Sequence, residues 1–255
     1  MDTLSAELRE TPNDTGLRFK LAEAHAGHDE WRACLMQIKL IERLAPGRYP
    51  TGYLRGLSLH VGGRDEEARR ALDGFLGGNP NHGDGLATRG RVLLNLGLPS
   101  EAAADFQKAM NLATSPNPDL VVDLAKAYKD SGRPEEASRV IDEGLKTVGD
   151  TPSLLLCALE IESGRGAWEA ALGRIDALQK TAPSPEPWMA ERALVLSKAG
   201  RSAESRAAWI ALRNQLLSLP NLERGYPQNA ELLNRAQHAL GESAPQPVAA
   251  PPASF

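Results

Sequence analysis

The chain has 255 residues, 42% of them hydrophobic, 24% charged and only 5% aromatic, with a formal net charge of −4. That apolar share is enough to bury a core, and the lack of a basic excess excludes a general nucleic-acid binder, which must displace counterions from phosphate. The two cysteines, Cys34 and Cys157, sit in apolar helical stretches and are expected to be buried free thiols.

In chain order, residues 1–14 read as a truncated N-terminal half-repeat, because LSAELRETPND resembles the end of a second helix. The opening MDTLSAELRE lacks the basic flank and apolar run of a leader, and no stretch reaches the roughly 20 apolar residues that cross a bilayer. A cytoplasmic protein with no membrane partner is therefore expected, a periplasmic one only if a leader has been removed.

Residues 15–217 repeat one pattern six times, over 15–48, 49–82, 83–116, 118–150, 151–184 and 186–217. The first unit has Ala22 in its first helix, then Cys34 and, four residues on, Ile38, and it closes at Pro46. The second has Gly56, turn glycine Gly63, Ala68, Leu72 and closing Pro80; the third has Gly90, Gly97, Ala102 and Phe106. One extra residue near Pro116 precedes the fourth unit, with Ala125, Gly132, Ala137 and Ile141. The fifth is less regular: SGRGAW is read as carrying one more residue, so that either Ala158 or Leu159 takes the small position before Gly166, Ala171 and Ile175. The sixth returns to pattern with Ala193, Gly200, Ser205 and Trp209. Residues 218–241 hold an amphipathic capping helix, with Leu232, Leu233, Ala236 and Leu240 on one side and Glu231, Asn234, Arg235 and Gln237 on the other. The Pro/Ala-rich stretch 242–255 is expected to be a disordered tail.

Packing explains the columns. Small residues let two helices approach closely, large apolar ones fill the space towards the next hairpin, and glycine ends the first helix by adopting a left-handed conformation. A single hairpin cannot bury its apolar face, so hairpins must stack. With its large-small pairs Leu21–Ala22 and Leu124–Ala125, its turns KDSGRPEEA and KAGRSAES, and its closing stretches LIERLAPGR and FLGGNPNH, the pattern resembles the tetratricopeptide repeat (TPR). The resemblance implies an all-α, right-handed α-solenoid of about six helix-turn-helix repeats, a fold that hosts many functions.

The chemistry of the sequence is sparse. His25 and His28 fall beside Gly27 at a helix end and read as a solvated turn rather than metal ligands; no nucleophile elbow, P-loop or zinc-protease motif occurs. Neither a metal, a cofactor nor catalysis is expected. The resemblance instead implies a concave groove lined by the first helices, with Phe19, Tyr53, Leu57, His60, Arg91, Asn95, Lys126, Lys129 and Leu155 as peptide-binding residues. An apolar floor with Arg91, Lys126 and Lys129 at its centre would suit a protein or peptide with acidic groups or a free carboxylate. The expected function is a protein- or peptide-binding adaptor or scaffold; the alternative is an assembly protein whose repeats or caps mediate oligomerisation.

Overall fold

A computed structural model describes residues 2–115 and 117–242 of the chain. Among these residues every regular element is a helix. They form two compact units, the first ending at Gly149 and the second beginning at Asp150, a division that no shift in composition announces. The inserted position at Pro116 and the tail from residue 243 lie outside the described residues.

The first unit opens with α1 (Asp2–Glu10), which packs on the first of four hairpins. These are α2 (Thr15–Gly27) with α3 (Trp31–Leu44), α4 (Thr51–Val61) with α5 (Asp65–Gly78), α6 (Gly83–Asn95) with α7 (Pro99–Leu112), and α8 (Pro118–Asp130) with α9 (Pro134–Val148). The second unit has two hairpins, α10 (Pro152–Gly164) with α11 (Trp168–Thr181) and α12 (Glu186–Lys198) with α13 (Ser202–Ser218). A short α14 (Asn221–Arg224) then leads to α15 (Pro227–Leu240), which packs on α13 and α12.

Local chemistry sets the helix ends. The Asp14 and Asn117 side chains each accept two backbone N–H groups of the helix that follows, satisfying donors the first turn cannot. Each later hairpin turns on a glycine, Gly63, Gly97, Gly132, Gly166 or Gly200, with φ between 71° and 76°. The next residue then donates its N–H back into the first helix, as Arg64 does to Leu59 and Arg133 to Tyr128. In the first hairpin Asp29 takes this place, the one non-glycine with positive φ among the described residues.

The close-approach columns are visible as steric facts. A Cβ built on Gly56 would lie 2.4 Å from Leu72 Cγ, and one on Gly90 would lie 2.6 Å from Phe106 Cε1. Leu72 and Phe106 are fully buried, so each glycine makes room for the large residue of its own hairpin. The fifth hairpin keeps the register: Gly166 follows Gly132 by 34 residues (166 − 132), so the turn holds no extra residue after all. Leu159 stands eighth in α10, as Ala125 does in α8 and Ala193 in α12. It therefore occupies the small position, and both it and Ala158 are buried.

A second column went unread in the sequence. The residue before the small position is arginine at Arg55, Arg89 and Arg192, and each reaches an acid on the preceding second helix: Glu42, Asp73 and Asp176. Arg89 also forms a two-pronged bond to Asp105, with its Nε 2.6 Å from one carboxylate oxygen and Nη2 2.8 Å from the other. Hydrogen bonding to Asp105 raises the Arg89 pKa still further, against an opposing contribution from burial. The acids lie 13 or 16 residues before their arginines, an interval that a search for 34-residue columns passes over.

Candidate functional site

Within the first unit each first helix touches the first helix of the next hairpin: α2 on α4, α4 on α6 and α6 on α8. Second helices do not meet one another to that extent, so the first helices lie on the inside of this unit's curvature. The side chains they turn away from the hairpin core form the candidate surface.

Phe19 on α2 is half-buried and stacks on Tyr49, with ring centroids 5.1 Å apart. Tyr53 on α4 is half-buried against Phe75 and His82, at 6.0 and 4.9 Å. Burial and the Asp84 carboxylate push the Tyr53 phenol up, while a bond to Thr88 and the charge of Arg91 pull it back. Leu57 follows one turn later, partly packed on the core of the first two hairpins. Val61, a further turn on, is 40% exposed. Tyr53, Leu57 and Val61 thus form an apolar strip along one face of α4.

Polar groups flank that strip and are tied to one another. His60 Nδ1 lies 2.6 Å from Asp65 Oδ1, and Asn95 Nδ2 donates to Asp65 Oδ2 at 3.0 Å. One carboxylate at the start of α5 therefore positions two of the expected groove residues. Arg91 Nε donates to Asp123 Oδ2 at 2.7 Å, which joins α6 to α8. Lys129 Nζ lies 3.6 Å from Asp130 Oδ1, and Lys126 is exposed.

Two expectations need correction here. The three central cations do not form an uncompensated positive patch, because Asp123 engages Arg91 and Asp130 sits beside Lys129. Leu155 does not face outward: it is 1% exposed, in the core of the second unit. Leu159 and Glu162, on the same face of α10, are buried with it. Between its ends, the exposed residues of α10 are Leu156 and Glu160, each one position after a residue of that face. The helix is apolar on nearly every side, so sequence periodicity could not choose its face.

Glu162 is instead half of a buried ion pair. Its Oε1 accepts from Arg174 Nη2 at 2.9 Å, while its Oε2 is buried without a hydrogen-bond partner. Both cysteines are buried, and burial raises the Cys34 thiol pKa, which makes it a poor nucleophile. Among the described residues no three His, Cys, Asp or Glu side chains gather as a metal site, and no helix is long and apolar enough to cross a membrane.

Comparison with known proteins agrees with this architecture. Residues 93–159 match the sequence model of a tetratricopeptide-repeat family. The C-terminal part of a TPR repeat-containing protein from Cytophaga hutchinsonii superposes with a TM-score of 0.67 at 13% identity, covering 91% of this chain and 92% of that one. A tetratricopeptide repeat protein from Parabacteroides merdae gives a TM-score of 0.63 at 16% identity, covering 88% and 98%. YrrB, described as a TPR protein with an unusual peptide-binding site, gives 0.56 at 13% identity, covering 73% and 90%. In sequence, the chain is 25% identical over 249 residues to cellulose synthase operon protein C of Xanthomonas axonopodis pv. citri. The match covers 92% of this chain but only 15% of that longer relative. The family match spans residues 93–159, and the helix hairpins on either side of it share the fold of these tetratricopeptide-repeat structures.

Proposed function

We propose that the chain is a non-catalytic protein-binding scaffold, and that in its first unit the first-helix surface around α4 holds an apolar segment of a partner peptide. The observation that carries this reading is the Tyr53–Leu57–Val61 strip, apolar side chains on a surface that water would otherwise cover, with Val61 40% exposed. Exposed Glu23 on α2 and Lys126 on α8 lie on other first helices of this unit and offer charges of both signs. A peptide of mixed charge suits the surface better than a wholly acidic one, because Arg91 and Lys129 already have carboxylates beside them. The peptide-binding site named for YrrB supports this use of the fold. The longer relative suggests proteins encoded with cellulose synthase as the first partners to try.

The test is capture of partners by the full chain, identification by mass spectrometry, and calorimetry of the strongest with Val61→Lys and wild type. Val61 is exposed enough for the fold to tolerate lysine, so an affinity loss of about tenfold at unchanged melting temperature is expected. Equal affinity would overturn the α4 surface.

A second reading is favoured by a separate observation. At the turn between α13 and α15, Leu222 is 75% exposed, with Leu217 and Tyr226 each 45% exposed nearby in sequence. An assembly role through this apolar tip predicts concentration-dependent self-association in light scattering, abolished by Leu222→Ser.

A further inference from the structure

Cations without carboxylate partners are also found in the second unit. In the second unit a cavity of about 360 Å³ opens between α12, α13 and α15, lined by Leu194, Trp209, Asn234, Arg235, His238 and Ala239. Trp209, 6% exposed, and Leu194 give it an apolar wall. Arg235 and His238 are one turn apart on α15, both exposed, and neither side chain forms an ion pair or hydrogen bond with any described residue. Lys198 continues the Leu194 face of α12 by one turn and is exposed as well. The acid nearest in sequence on α15 is Glu231, one turn before Arg235, and the two do not pair. Glu242 is engaged by Arg213.

We propose that this slot binds a carboxylate carried beside a large apolar side chain, as at the free C-terminus of a peptide that ends in an aromatic or branched residue. The proposal rests on the reading of the chain as a peptide-binding scaffold and places a second contact in the other unit. The apolar side chain packs on Leu194 and Trp209. The carboxylate takes N–H donors from the planar Arg235 guanidinium and the His238 ring, a charge-assisted pairing that a neutral amide cannot match. Asn234 supplies a further amide for the peptide backbone.

The slot can be probed with small molecules on the full, isotope-labelled chain. N-acetylphenylalanine is titrated against the tryptophan indole N–H signals, and Trp209 is assigned from the signal lost in Trp209→Phe. N-acetylphenylalaninamide serves as the uncharged control. A saturable shift of the Trp209 signal by the acid is expected, with about tenfold weaker response to the amide and weakening by salt. Arg235→Gln and His238→Gln should each weaken the acid response without changing the melting temperature, since both side chains are exposed. Equal response to acid and amide, or a response that survives the double variant, overturns the proposal. Because Val61→Lys leaves the slot untouched, a chain that holds a partner through α4 yet ignores these probes breaks this inference alone.

Discussion

Hairpins three and five fill the same positions in opposite ways. In the third, Gly90 lies against the Phe106 ring, and Arg89 bridges the exposed Asp73 to the buried Asp105. In the fifth, Leu159 stands where the glycine should be, opposite a smaller Ile175, and a charged pair, Glu162 with Arg174, goes inside. One hairpin interface thus accepts glycine against phenylalanine or leucine against isoleucine, with the neighbouring side chains filling the difference in volume. Each arrangement buries a carboxylate beside an arginine, but Arg89 bonds both oxygens of Asp105 whereas Glu162 keeps one oxygen without a hydrogen-bond partner. The second unit differs in a further respect: its last hairpin is covered by the single helix α15 rather than by another hairpin.

The largest expected effect comes from removing that cover. Leu212 and Leu216 of α13 are fully buried in a cluster with Leu232, Ala236 and Leu240 of α15. A chain ending at Ser218 exposes both leucines, a loss of about 3–6 kcal/mol by apolar transfer. It should melt early and aggregate in light scattering. A chain ending at Glu242, which keeps the bond to Arg213, should match wild type in both measurements. If the shorter chain stays monomeric and equally stable, α15 is a docking element rather than a cover.

Next comes the buried pair. Arg174→Met leaves the Glu162 carboxylate, only 7% exposed at its side chain, without its cation. The expected cost is about 3 kcal/mol, the low end for a broken buried pair because Arg174 retains some solvent. Adding Glu162→Leu should recover most of it, since two apolar residues of similar volume often replace a buried pair without loss. Denaturant midpoints of the single and double variants decide the matter. No recovery would mean that the Glu162–Arg174 pair holds the hairpin by more than mutual compensation.

The glycine column should respond in the opposite sense to volume. Gly90→Ala places a Cβ within 2.6–2.8 Å of Phe106 ring atoms that are completely buried and have nowhere to go. Overpacking of about 1–3 kcal/mol is expected. Leu159→Ala, in the same column, should instead cost about 2–5 kcal/mol through a cavity. If Gly90→Ala were neutral, the third hairpin would hold slack that the fifth does not, and the two solutions would not be equivalent.

These differences mark what was legible in the sequence. The 34-residue steps through Ala22, Gly56 and Gly90, and the 35-residue step to Ala125, fixed the hairpins because steric columns repeat with the fold. Gly166 and Ala171 kept that register in hairpin five, yet the face of α10 was misread. Its run LLLCALEI is apolar all round, so Leu155 and Leu156 could not be told apart without the neighbouring helices. The charges of the candidate surface were legible as residues but not as pairs. Asp123 lies 32 residues from Arg91, and no local rule links them. The slot on α15 was missed because its cations belong to a helix read only as a cover.

The smallest expected effect is a gain. Gly74 and Gly77 lie inside α5 on its exposed side, and a Cβ at either would meet no neighbouring atom within 4 Å. Nothing in the packing of hairpin two requires a glycine there, unlike Gly56 one helix earlier, which makes room for Leu72. An alanine restricts the unfolded chain and favours the helix it enters. Gly74→Ala should therefore raise stability by about 0.5–1 kcal/mol, seen as a higher denaturation midpoint with unchanged slope. The same substitution at Gly56 should lower it, so the two variants read one helix pair from its outside and its inside. A loss at Gly74 would show that the α5 backbone there is held in a conformation alanine cannot share, and that the exposed side of this hairpin is more constrained than its contacts indicate.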